Sequence, residues 1–166
     1  MPTDFLALLR RDHGDLDQEL ARLLDPTATV AQLRVSLDGV RLGLTAHSEA
    51  EDIVLGKFEA IPALQGLLAQ GRSAHHAQER ALSALVVERP GTSIWRERAH
   101  HLRELLRQHA KQEEAYLLPA LREHAPAEDY RQLAGAFATE RLQQLAMLQP
   151  SAPVFEPFTL AEVRAV

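Results

Sequence analysis

Cysteine is absent from this chain, which rules out disulfides, thiolate zinc sites, cysteine-ligated iron–sulfur clusters and cysteine nucleophiles. Any metal held by these residues must be held through nitrogen and oxygen. Long apolar runs are missing as well, and no stretch approaches the roughly 18–20 residues of a membrane span. There is no excess of positive charge: 18 Lys and Arg against 23 Asp and Glu leave a formal charge of −5. A basic footprint for nucleic acid is therefore lacking. The opening residues, MPTDFLALLRRDHGD, do not have the charged-then-apolar layout of a secretory signal, so the expected compartment is the cytoplasm. Tyrosine and tryptophan are scarce, at two and one, but histidine is not: there are eight. With 46% hydrophobic residues over 166 positions, the chain can bury the core of one compact domain.

Leu and Ala dominate, β-branched runs are short, and Gly and Pro collect at a few breaks, which predicts an all-α fold. A first helix is expected from about Asp4 to Leu24, closed by Asp25-Pro26. A second opens near Thr29, where Thr29 and Gln32 have capping-box spacing, and continues to Phe58. Pro62 suits the start of a third helix reaching about Val87. After the turn Glu88 to Ser93, with Ser93 the expected N-cap, a fourth helix runs from Ile94 to about Arg122 and bends at Pro119. A fifth stretch covers Glu128 to Leu148, and in the Pro-containing tail Thr159 and Glu162 could open one helical turn. Four long helices with short connections predict an up-down antiparallel four-helix bundle over residues 1–126. Residues 127–166 then supply a C-terminal helix and tail packed on the same domain.

Several histidines have a Glu four residues later, a spacing that puts both on one face of a helix. His47/Glu51, His75/Glu79, His100/Glu104 and His109/Glu113 all do so. Placement separates them. The step from His13 to His47 is repeated from His75 to His109, and a single shift carries His13 to His75, His47 to His109 and Glu51 to Glu113. The same shift carries the flanking Leu44 and Leu55 to Leu106 and Leu117. Two consecutive helix pairs thus share one layout, with His on the first helix and His-x-x-x-Glu on the second. His100 lies nine residues before His109, on the far side of its helix, so the His100/Glu104 pair is expected to face solvent, with His101 peripheral. His124 suits the negative end of a helix dipole, and Tyr116, a heptad after His109, reads as core.

His13, His47, His75 and His109 all sit among leucines on apolar stripes. A buried ionisable group costs several kcal/mol unless paired or neutral. Four imidazoles with two or three carboxylates in one core therefore call for compensating positive charge. A dinuclear metal centre supplies it, since neutral imidazole and carboxylate suit iron and a carboxylate can bridge two cations. Zinc or manganese could take the same ligands.

The motifs RRDHGDL, TAHSEAED, SAHHAQER and RQHAKQEEAYLLP, in that order, resemble the hemerythrin-like HHE cation-binding domain over about residues 4–124. The resemblance implies a helical bundle holding two iron ions. His13 and His47 would bind one, His75 and His109 the other, with Glu51 and Glu113 bridging. In helix III the match of text favours His76, while the internal repeat favours His75; His75 is the first choice and His76 the alternate. Oxygen-carrying hemerythrins place a second His four residues after the first in that helix, where this chain has Glu79. A carboxylate ligand there favours ferric iron and speaks against reversible oxygen carriage. Helix IV also departs from the carriers, which have Asp one position after Glu113. The expected partner is a small molecule such as oxygen, nitric oxide or peroxide, and the expected role is binding or sensing it, or handling iron. An oxidase, peroxidase or iron–sulfur-repair enzyme, and a metal-free structural bundle, are the alternatives. A ferritin-like site needs Glu-x-x-His on two helices, and Glu97/His100 is the single instance.

Overall fold

A computed structural model describes residues 4–149 of the chain, all of whose regular elements are helices. They are α1 (Phe5–Arg22), α2 (Val30–Gly56), α3 (Pro62–Val86), α4 (Ser93–Gln112), a π-helical turn (Glu113–Leu117), α5 (Leu118–His124) and α6 (Ala127–Leu148). The helical turn expected at Thr159 and Glu162 lies outside the described residues. None of the described helices is long and apolar enough to cross a membrane.

Local chemistry sets the helix ends. Thr29 accepts a hydrogen bond from the Gln32 amide at 3.2 Å, and the Gln32 side chain accepts one from the Thr29 amide at 2.8 Å, which completes the expected capping box. Pro62 occupies the first turn of α3, where its missing N–H has no helical partner to lose. The N-cap of α4 is Thr92 rather than Ser93: the Thr92 hydroxyl accepts from the Trp95 amide at 3.2 Å. The left-handed backbone of Gly91, at φ 82°, reverses the chain just before it and fixes which residue stands at the cap.

The expected fourth helix runs on to His124, but a π turn widens it before Pro119. The amide of Leu118 bonds the carbonyl of Glu113, one residue further back than in an α-helix, so the turn holds an extra residue. Pro119, which cannot donate to the carbonyl four residues before it, begins the helix beyond. The extra residue advances the inward face from Tyr116 to Leu117. Tyr116 is consequently 63% exposed instead of buried.

Helix α1 packs on α2 and α4, and α3 packs on the same two. Their inward positions alternate steps of three and four, as in Leu33, Leu37, Val40, Leu44, His47, Glu51 and Val54. Two apolar clusters result. One gathers Phe5, Leu9, Phe58, Leu68, Leu121 and Phe137, and the other Leu16, Leu20, Leu44, Leu85, Trp95 and Leu102. In every one of the four helices the buried histidine falls between them. Helix α6 lies along α2, and its Phe137 meets Phe5 edge-on at 6.0 Å. Trp95 is fully buried and donates from Nε1 to the Leu23 carbonyl at 3.1 Å. Outside, Asp17 accepts paired hydrogen bonds from Arg103 (2.8 and 2.9 Å) and Arg107 (2.8 and 3.1 Å), tying α1 to α4. The bond from Arg103, ahead of that from Arg107, holds the Asp17 carboxyl down at about 2.

The cap assignment can be checked directly. Thr92→Ala should destabilise the protein by about 1 kcal/mol, a fall of roughly 2–4 °C in melting midpoint, whereas Ser93→Ala should change it by no more than about 0.5 kcal/mol. Thermal melts of the two variants that gave the reverse order would return the cap to Ser93.

Candidate metal centre

The layer between the two apolar clusters is built from one histidine on each of four helices and two glutamates. His13 comes from α1, His47 and Glu51 from α2, His75 from α3 and His109 from α4, while Glu113 opens the π turn. All six are at most 5% exposed. His13, His47, Glu51 and His109 offer ligand atoms that all lie within 4.8 Å of one another. His75 joins through Nε2, 3.1 Å from His109 Nε2 and 3.6 Å from Glu51 Oε1. Glu113 joins through Oε2, 3.2 Å from His13 Nε2 and 3.5 Å from His109 Nε2. The two oxygens of Glu51 are divided, since Oε2 faces His47 Nε2 at 3.4 Å while Oε1 faces His75.

A second circle of carboxylates orients two of the rings. His47 donates from Nδ1 to Asp12 at 2.8 Å, and His75 donates from Nδ1 to Asp52 at 2.9 Å. With the proton of Nδ1 committed to a carboxylate, Nε2 of each ring is the nitrogen turned to the centre of the layer. Asp12 is 7% exposed and meets Arg141 of α6, with a 2.8 Å contact to Oδ1 and a 3.1 Å hydrogen bond to Oδ2. The ring of Phe137, one helical turn before Arg141, packs edge-on against His47 at 5.8 Å.

Protonation follows from burial and from these neighbours. Burial pushes His47 below its ordinary value, against the pull of Asp12, and pushes His109 down to about 3. Burial raises the Glu51 carboxyl well above the usual range, and the neighbouring Glu113 raises it further. For Glu113 burial acts upward too, but His109, then His13 and Glu51, outweigh it and hold that carboxyl low. Asp12 is likewise lowered because His47 and Arg141 prevail over burial.

The layer is not satisfied by its own contacts. His13 Nε2 and Nδ1, His47 Nε2, Glu51 Oε2 and both oxygens of Glu113 are buried with no hydrogen-bond partner; the close approach of His13 to Glu113 is misaligned for one. Buried polar atoms are otherwise almost always paired. Here His47 Nε2 and Glu51 Oε2 face each other at 3.4 Å without a hydrogen bond, and where the His75 and His109 rings meet at Nε2, 3.1 Å apart, only one of the two nitrogens can donate to the other. A proton can relieve one such contact, but a cation relieves several at once. The donor set of imidazole nitrogen and carboxylate oxygen fits a divalent or trivalent metal ion such as iron, zinc or manganese.

Of the residues singled out in the sequence, His13, His47, Glu51, His75, His109 and Glu113 come together. Glu79 does not. Its side chain is 75% exposed and approaches His76, 3.6 Å away and itself 68% exposed. The reason is helical phase. The inward seam of α3 runs Leu64, Leu68, Gly71, His75, Gln78 and Leu82, so the step after His75 is three, not four. The ferric preference expected from a Glu79 ligand therefore loses its basis. Gln78 takes the inward place, 1% exposed, with neither amide atom hydrogen-bonded. The internal repeat held this signal: the shift that carries His13 to His75 carries Leu16, which is buried, to Gln78, and Asp17, which is not, to Glu79. Asp12, Asp52 and Arg141 also went unassigned in the sequence. His100 and His101 lie on the exposed side of α4.

A sequence profile of the hemerythrin HHE cation-binding domain matches residues 4–148, which takes in α6 as well as the first four helices. No curated protein and no solved structure matches the chain at a significant level.

The buried imidazoles give a pH dependence with a definite sign. His47 and His109 are depressed in the folded protein and near 6.5 when unfolded, so between those values the unfolded chain binds the extra protons. Glu51, raised on folding, acts oppositely, one carboxyl against two imidazoles. Metal-free protein should therefore lose stability as pH falls from about 6.5 toward 4.5. Urea midpoints across that window would measure it, and a flat or rising profile toward acid would show that these rings are not buried neutral.

Proposed function

We propose that this chain, which belongs to the hemerythrin HHE cation-binding domain family, binds two iron ions and uses them to handle iron or to bind a small molecule such as oxygen or nitric oxide. One observation carries the reading: a buried layer of four imidazoles and two carboxylates in which inward atoms of His13, His47, Glu51 and Glu113 lack partners. The ring pairs divide it in two. His13 and His47 are 4.9 Å apart between centroids and would hold one ion; His75 and His109, at 4.6 Å, would hold the other. The split oxygens of Glu51 and the contacts of Glu113 with His13 and His109 suit both as bridges. When bound, two such ions would supply the positive charge this layer lacks, together with redox chemistry and positions for an outside ligand.

The chain's own residues have separable tasks in this reading. Asp12 and Asp52 hold His47 and His75 as the tautomers whose Nε2 is free. Arg141 balances the charge of Asp12, and Phe137 keeps water from His47. Helices α1 to α4 form an up-down antiparallel bundle, in keeping with the packing of α1 and α3 on the same two neighbours. Helix α6 completes the same domain, seated on α2.

Protein made in iron-supplemented cells should carry close to two irons per chain by elemental analysis. One ion per chain would mean that the four-residue group acts alone, and none, with no uptake on reconstitution, would remove the reading altogether. Glu51→Ala and Glu113→Ala should each strip most of the metal, while His100→Ala and Glu79→Ala should leave it in place. Metal loss on Glu79→Ala would restore that residue as a ligand. Because an ion bound only by the native state stabilises it by roughly 4 kcal/mol at a thousandfold excess over Kd, verified removal by a chelator should lower the melting midpoint.

A further inference from the structure

Position 71 stands on the inward seam of α3, one turn before His75, and it is a glycine. Nothing in the fold requires that. The residue is helical, and a Cβ added there would meet no atom within 4 Å. An interior helical glycine is less stable than alanine, so the gap is not explained by packing. The empty space is a crevice between α3 and the end of α4, lined by Leu67, Gln70, Gly71, His109, Glu113 and Leu117, with Gln112 beside them. Gln70 and Gln112 are exposed at its mouth, while His109 and Glu113 are each 2% exposed at its floor. Both carboxylate oxygens of Glu113 are without a hydrogen-bond partner.

The crevice is small, about 10 Å³, which is room for one water-sized molecule. That size excludes an organic substrate and admits a diatomic. Leu67, Gly71 and Leu117 make its walls apolar and its mouth is neutral amide, so an uncharged ligand meets no charge before it reaches Glu113 at the floor. A larger cavity, about 90 Å³, opens between α2 and α3 beside Asp52, His76 and Glu79. It meets His75 on the side where Nδ1 already donates to Asp52 at 2.9 Å, away from the facing Nε2 atoms. The larger opening is thus the wrong one for the centre.

Resting on the di-iron reading above, we propose that the Gly71 crevice is the channel and seat for an uncharged diatomic ligand, delivered to the side of the centre formed by His75, His109 and Glu113. Gly71 acts by omission: it leaves vacant the place from which a side chain would otherwise fill the crevice.

The test uses the full chain and two kinds of measurement. In metal-free protein, Gly71→Ala should raise the melting midpoint, because the added methyl enters vacant space in a helix. A lower midpoint would mean that the crevice is not open and would overturn the proposal, whatever the metal content. In reduced, iron-loaded protein, stopped-flow absorbance with nitric oxide is the second readout. Gly71→Leu should keep its iron and slow association by about tenfold or more, with Gly71→Ala slowed less. Ser48→Leu, which narrows the larger cavity, should leave the rate unchanged. An unchanged rate in Gly71→Leu with iron intact, or slowing confined to Ser48→Leu, would overturn the assignment. Should Gly71→Leu not fold, the alanine variant carries the same comparison. A wild-type protein that takes up no iron would defeat the di-iron reading, and the metal-free melts would still decide whether the crevice is open.

Discussion

Buried nitrogens and oxygens left without partners, in a slice through the middle of a leucine core, are the constraint on which the rest of this molecule depends. Each buried Leu contributes about 1.5–3 kcal/mol through the area it removes from water, and the two apolar clusters supply many of them. The slice between them contributes nothing of the kind. Its desolvation is unfavourable, and its unpaired nitrogens and oxygens repel one another until charge is placed among them. The leucine clusters can hold the helices together without the layer, but the layer cannot exist without the clusters on either side.

Orientation is a separate matter from composition. An imidazole can turn either nitrogen inward, and a ring with the wrong tautomer presents a proton where a lone pair is needed. Asp12 and Asp52 decide this for His47 and His75. The first of these carboxylates is itself buried and is balanced from α6 by Arg141. The last described helix thus reaches the centre twice, electrostatically through Arg141 and sterically through Phe137. A bundle of the first four helices alone would hold the same histidines with one of them poorly directed.

The helices, their inward leucines and the six clustered His and Glu residues were legible because they depend on spacing along one strand of sequence. His47/Glu51 and His109/Glu113 fall on a four-residue step of their seams, so a simple i,i+4 search finds them. His75/Glu79 has the same spacing on a helix whose seam takes a three-residue step at that point, and there the search misleads. Only the phase of the whole helix, Leu64 through Leu85, separates Gln78 from Glu79. Contacts between distant positions were not legible at all. Asp12 with Arg141 joins residues 129 positions apart, and no periodicity announces it. Thr92 and Ser93 are equally good caps by composition, and a backbone feature at Gly91 decides between them.

The π turn is a one-residue insertion in the heptad pattern of its helix. Inward positions along α4 advance from Trp95 through Ala99, Leu102, Leu106, His109 and Glu113 in alternating steps of four and three. The alternation calls next for a three, yet the step from Glu113 to Leu117 is four, and so is the following one to Leu121. The chain carries one residue more than the heptad needs, and the widened turn is where it is stored. Deleting Ala115 would let an α-helix run on while Glu113, Leu117 and Leu121 stayed on one seam. Packing on either side therefore does not depend on the surplus residue. What the surplus changes is the local width of the helix beside Glu113, where a crevice brings the outer surface within a side chain's depth of the buried layer.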